Sequence, residues 1–145
     1  MQARGAPAAV LLVVIGALRI AATYGVFSET ADEPTHLACG LQILNEHRYT
    51  IQLQNPPLPR LLIALGPWLA GNSSLVLARA GTLIFFVIAS FATWLWARRE
   101  LGDVAAILAL LLFTTQPSIL GHAGLATVDI AGVAGLAVAM LAFSR

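Results

Sequence analysis

Four stretches of the chain, residues 8–27, 75–97, 104–120 and 125–143, run almost without charge, and each is close to the length needed to cross a bilayer. No other feature restricts the fold as much. Only a helix satisfies all its backbone hydrogen bonds within one such segment, so the runs predict an all-α integral membrane protein with four transmembrane helices. Composition agrees, with 59% hydrophobic and 10% charged residues against about 25% charged in soluble domains. Residues 1–145 read as a single membrane domain.

The first run, with Arg4 ahead of it and Arg19 late within it, has some of the look of a signal peptide. Its apolar character continues through Phe27 with no small-residue cleavage site, which favours a retained helix. Arg19 can snorkel outward or face a polar interior. Residues 28–74 form a loop with short amphipathic segments. Leu37, Leu41 and Leu44 recur at helical spacing, with Gln42, Glu46 and His47 elsewhere on the wheel, predicting a helix along the membrane interface. After the connector 48–54, Pro56, Pro57 and Pro59 force an extended turn. The apolar stretch 61–69 with Trp68 is too short to span, so it lies flat or re-enters, and 71–74 is a turn.

The second run ends at Arg98, Arg99 and Glu100, with Trp94 and Trp96 as interfacial anchors; Gly102 and Asp103 connect it tightly to the third, which is Leu- and Ala-rich until Gln116-Pro117. Residues 121–127 form a second polar loop before the fourth run. All eight basic residues are arginines. An N-terminus in the cytoplasm puts Arg4, Arg98, Arg99 and Arg145 inside and Arg48 and Arg60 outside, which places both termini in the cytoplasm and both polar loops on the extracytoplasmic face. The arginines are dispersed, so no nucleic-acid footprint exists. Cys39 is alone, which excludes an intrachain disulfide and cysteine-pair metal binding and fits a small buried residue.

The rare polar residues concentrate at 32–60 and 121–129. Asp32-Glu33-Pro34-Thr35-His36 has helix-start chemistry, an acid at the dipole's positive end with proline in the first turn, but capping explains one acid and not two. Asp129 also fits a helix start, with Thr127 as the alternative cap. At a membrane boundary partial desolvation raises a carboxylate's pKa toward the range of a general base. Arg60 fits either an interfacial anchor or a bidentate hold on phosphate. His36 and His122 fit hydrogen-bonded loop residues, while a histidine with two carboxylates is the pattern of a divalent metal site. No glycine-rich phosphate loop, serine-hydrolase elbow or zinc spacing is present.

Asp32-Glu33-Pro34-Thr35-His36-Leu37 after a first span, Asn55-Pro56-Pro57-Leu58 before an amphipathic stretch, and His122-Ala123-Gly124-Leu125-Ala126-Thr127-Val128-Asp129 opening a fourth span resemble the phospholipid-carrier-dependent glycosyltransferases. These are bacterial GT-C enzymes of the plasma membrane, similar to protein O-mannosyltransferases and the lipid A aminoarabinose transferase. The resemblance implies transfer of a sugar from a polyprenyl-phosphate donor to a lipid, glycan or protein acceptor on the extracytoplasmic side, by direct displacement with inversion. It implies that Asp32 is the base, Glu33 its neighbour and Asp129 a second acid that positions substrate or a metal. Arg60 then offers charge to the departing phosphate, and Asn55, His36 and His122 complete the substrate site. The family usually has histidine where Asn55 stands, which removes a proton-transfer role there. Its members carry about a dozen spans, so this chain resembles the N-terminal part of such an enzyme, expected to be inactive without a C-terminal part as partner. Two other classes are compatible with the same loops: a non-catalytic four-span scaffold or partner subunit, and a transporter fragment, disfavoured because the acids sit at span ends and not near the midplane.

Overall fold

The computed structural model describes residues 5–144. All regular structure among them is helical: α1 (Ala6–Ala21), α2 (Glu33–Glu46), α3 (Pro57–Ala70), α4 (Leu75–Ala80), α5 (Leu83–Leu101), α6 (Asp103–Thr115), α7 (Pro117–Ala123) and α8 (Asp129–Phe143). Proline lies in the first turn of α1, α2, α3 and α7, where its missing N–H would have had no partner anyway. Gly71, at φ +64°, ends α3, and the Ser74 hydroxyl caps α4 by accepting from the Leu77 N–H at 3.4 Å.

Helix α5 is the hub, packed against α1, α6 and α8. Its Phe85, Phe86, Ala89 and Trp94 meet Val13 and Ile20 of α1, Ala106 and Leu110 of α6 and Ile130 and Ala134 of α8 in one core. Phe86 stacks on Phe113 at 6.1 Å between ring centroids, and it lies so close to Gly16 that a Cβ there would come within 2.7 Å of its ring. The bundle is also apolar outside, with Leu11, Leu18, Val104, Leu112 and Leu136 exposed, as a lipid-facing surface requires.

Helices α4 and α5 together form one helical stretch, Leu75–Leu101, long and apolar enough to cross a membrane. The α6–α7 pair passes the same test only as one span bent by 59° at the Gln116-Pro117 break. Helices α1 and α8 have 16 and 15 residues, a rise of about 24 Å or less against a hydrocarbon core of about 30 Å. The described residues therefore contain one such helix, or two with the bent pair, where the sequence predicts four spans. Both short helices stop for local reasons. After Ala21 the carbonyls of Tyr24, Phe27 and Ser28 turn inward to accept hydrogen bonds from Arg79, and residues 124–128 form a turn, so α8 opens at Asp129. Arg4 and Arg145, two of the four arginines expected on the cytoplasmic side, lie outside the described residues.

A second layer, α2 on α3 and α3 on α4, folds over one end of the bundle. The backbones nearly touch. A Cβ on Gly40 would meet the Arg60 carbonyl oxygen at 2.0 Å, and one on Gly81 the Leu62 carbonyl oxygen at 2.0 Å. The buried face of α2 is Glu33, His36, Cys39 and Gly40, while Leu37, Leu41 and Leu44 stay half-buried. The fully buried face is thus the polar and small one, and of the leucines Leu37 packs at the edge of the buried Ile63, Ala78 and Ala126.

Candidate active site

Of the two acids at the start of α2, one is exposed and the other buried. Glu33 is 1% exposed and has both oxygens occupied. Its Oε1 accepts from Arg79 Nε at 2.7 Å and from the Ala126 N–H at 2.8 Å, and its Oε2 accepts from Arg79 Nη2 at 2.8 Å and from the Thr30 N–H at 2.9 Å. Burial alone would raise the pKa of this carboxyl, but the hydrogen bonds from Arg79, Ala126 and Thr30 outweigh it and hold the group at about 2. Glu33 is consequently a fixed anion with no free lone pair for a substrate proton. Expected as the catalytic neighbour of Asp32, it ties α2 to α4 and to the turn before α8.

Asp32 is exposed, at the N-cap position of α2, and its side chain makes no capping bond. Asp129 is exposed in the first turn of α8 and likewise does not cap; its Oδ2 accepts from the Thr127 hydroxyl at 2.9 Å and pairs with His122 Nδ1 at 3.2 Å. The Glu33 bond to Ala126 draws the start of α2 against the start of α8, so Asp32 and Asp129 stand at the same end of the bundle. His36, one turn beyond Asp32, lies in the field of both carboxylates.

His36 is itself 6% exposed. Its Nδ1 accepts from Arg60 Nε at 3.1 Å. Burial, then the adjacent Arg60 charge, lower its pKa against the opposing pull of Asp32 and Asp129, which leaves the ring neutral. Arg60 is fully buried. It donates to the Tyr49 hydroxyl at 2.8 Å, to the Ile51 and Gln52 carbonyls at 3.1 Å each, and to Gln52 Oε1 at 2.7 Å. Expected to offer charge to a phosphate, Arg60 here turns inward and organises the 49–52 connector. Asn55 closes the same loop, its carbonyl accepting from the Tyr49 hydroxyl.

Asp129 stands at one end of an apolar groove of about 620 Å³ between α5 and α8. Phe85 and Ile88 form one wall, Ala131, Gly135 and Val138 the other, and Pro56 and Leu58 lie at its edge. From Asp129 to Val138 the groove follows α8 for about 14 Å. A Cβ added at Gly132 or Gly135 would meet nothing within 4 Å, so the glycines leave the trough open. Among the described residues no three His, Cys, Asp or Glu side chains converge as metal ligands. His122 and Asp129 give two donors, and His36 has Nδ1 taken, so these residues do not fit the divalent ion suggested by the histidine-and-carboxylate pattern.

Arg79 is the residue that sequence reasoning passes over. An arginine five positions into an apolar run is a signal in itself, because a charge there needs a partner. Its partner, 46 residues away, has no local signature.

The described residues thus form an all-helical, outwardly apolar bundle with two exposed acids at one end and an apolar trough leading from one of them. The chain belongs to the dolichyl-phosphate-mannose-protein mannosyltransferase family, whose model matches residues 54–145. Asn55, Arg60, His122 and Asp129 lie within the matched residues, and Asp32, Glu33 and His36 lie before them. The family is membrane-embedded and of glycosyltransferase type, with a lipid-linked donor. Neither a curated relative nor a solved structure matches the chain.

Proposed function

We propose that this chain contributes the acidic end and part of the donor groove of a glycosyltransferase that moves a sugar from a polyprenyl phosphate to an acceptor outside the cytoplasm. The observation that carries the reading is the placement of Asp129 at the end of the apolar groove, with Asp32 at the same end and neither carboxylate used as a cap. The groove accepts part of the prenyl chain, whose burial is favourable by about 25 cal/mol per Å² only where water is otherwise the alternative; within lipid its value is orientation. The sugar and phosphate then lie at the polar end. In the displacement, Asp32 takes the acceptor's hydroxyl proton as that oxygen bonds to the anomeric carbon. The bond from that carbon to the phosphate oxygen breaks, and its electron pair leaves on the phosphate. Asp129, held by Thr127 and His122, positions the reacting sugar.

In this reading the chain crosses the membrane four times, α1 and α8 being completed by the lipid boundary, with the acidic end extracytoplasmic. The arginine-rich end of α5 supports it: Arg98 and Arg99 lie about 25 Å along the helix from the acidic end, beside Asp103 and the Leu141 carbonyl.

The test is Asp32→Asn, assayed for sugar transfer in membranes that hold the protein together with the C-terminal part of the enzyme. Removing a general base costs about 10²–10⁴-fold in rate. Because Asp32 makes no capping bond, expression and thermal stability should match the parent. Transfer at the parental rate would exclude Asp32 as base and favour the scaffold reading.

A further inference from the structure

Two arginines flank the acidic end, and neither points its guanidinium at a ligand. Arg79 is taken by Glu33 and three backbone carbonyls, and the Nη groups of Arg60 by Tyr49, Ile51 and Gln52. The departing phosphate still needs positive hydrogen-bond donors. What Arg60 sends toward the acids is its Nε–H, which ends on His36 Nδ1 at 3.1 Å. A guanidinium has no acceptor, so Nδ1 must carry the lone pair and the ring proton must sit on Nε2. Among the described residues Nε2 makes no hydrogen bond, and it is not one of the sealed, unpartnered polar atoms, which are Tyr24 Oη, Thr30 Oγ1 and Ser90 Oγ. The charged groups around the ring are Arg60 behind it and Asp32 and Asp129 on the acidic end.

We propose that Arg60 is a positioning residue that fixes His36 as the Nε2–H tautomer, and that this N–H holds an oxygen of the lipid-linked donor beside Asp32 and Asp129. The oxygen is a phosphate oxygen or a sugar hydroxyl, which present the same acceptor chemistry. Arg60 thereby acts on the ligand through His36 without leaving its buried seat. A lysine in its place would be a point charge without the planar fork that reaches His36 and the 49–52 connector together. The identity of the ligand rests on the glycosyltransferase reading; the tautomer does not.

Nitrogen-isotope labelling of the histidines, with the protein in nanodiscs, reads the tautomer directly by N–H correlation spectroscopy. The expected pattern for His36 is a lone-pair nitrogen at Nδ1 and a protonated one at Nε2. Arg60→Met should release His36 to a mixture of tautomers. Should that variant fail to fold, the parent spectrum still decides, because a proton on Nδ1 in the parent overturns the assignment. For the ligand, His36→Asn keeps an acceptor for Arg60 and removes the Nε2 donor. Its binding of polyprenyl phosphate, with and without an attached sugar, should weaken about 10- to 100-fold. Weakening for both lipids assigns the phosphate oxygen, and weakening only for the glycosylated lipid assigns a sugar hydroxyl. Parental affinity for both overturns the donor role. If the parent binds neither lipid, the glycosyltransferase reading fails and takes the ligand with it, while the tautomer spectrum still judges Arg60.

Discussion

Asp32 and Glu33 are neighbours in sequence, yet a step of about 100° around the helix separates a side chain in the open from one sealed against Arg79. Sequence alone offers both acids for the same work, because nothing local says which one meets an arginine 46 residues later. The pairing has a measurable consequence. Glu33→Gln leaves the Arg79 charge buried without its counterion, which should lower unfolding stability in detergent by about 3–5 kcal/mol. Adding Arg79→Met should restore much of the loss. If Glu33→Gln alone were neutral, the ion pair would not be holding the two layers together. Acid should act on the same bond. The folded carboxyl at about 2 lies below its ordinary 4.5, so the unfolded chain binds the proton first, and stability should fall as pH drops from about 4.5 toward 2. Neutral His36 works in the same direction, its depressed pKa removing stability as pH falls below 6.5. A thermal-unfolding series from pH 7 downward in the parent and in the double variant separates the Glu33 contribution.

Helix α2 could be placed from the chain itself, since Pro34 marks its first turn in sequence as it does in the structure, whereas Pro57, read as part of an extended turn, and Pro117, read as lying late in a span, open α3 and α7. The inward face of α2 could not. Hydrophobic periodicity picks out Leu37, Leu41 and Leu44, whereas the packed face is chosen by Gly40, which lets the Arg60 carbonyl approach, and by polar groups that find partners far along the chain. Groove-facing glycines are equally silent, because an absent side chain has no pattern. They do allow a clean test of the groove. Gly135→Leu fills the trough on α8, and leucine favours a helix over glycine by about 0.5–1 kcal/mol. The variant should be at least as stable as the parent while losing most of its capacity for photo-crosslinking to a prenyl-chain probe. Unchanged crosslinking would place the chain of the lipid elsewhere.

For the molecule as a whole, the orientation across the membrane is best read away from Cys39, which is fully buried and would report burial before sidedness. In a Cys39→Ala background, a cysteine at exposed Ser73 should react with an impermeant thiol reagent added outside intact cells, and one at exposed Glu100 only after permeabilisation. The reverse pattern would put the acidic end in the cytoplasm. One bond described above also sets an order in time. Glu33 is joined to Ala126, 93 residues downstream, and at about 5–20 residues per second that partner emerges from the ribosome roughly 5–20 s after Glu33 itself. Until then the start of α2 is held through Arg79 alone, without its tie to the turn before α8. The acidic end thus cannot close before the turn at 124–128 has emerged, and a nascent protein interrupted before that turn carries its earlier helices with an unassembled site.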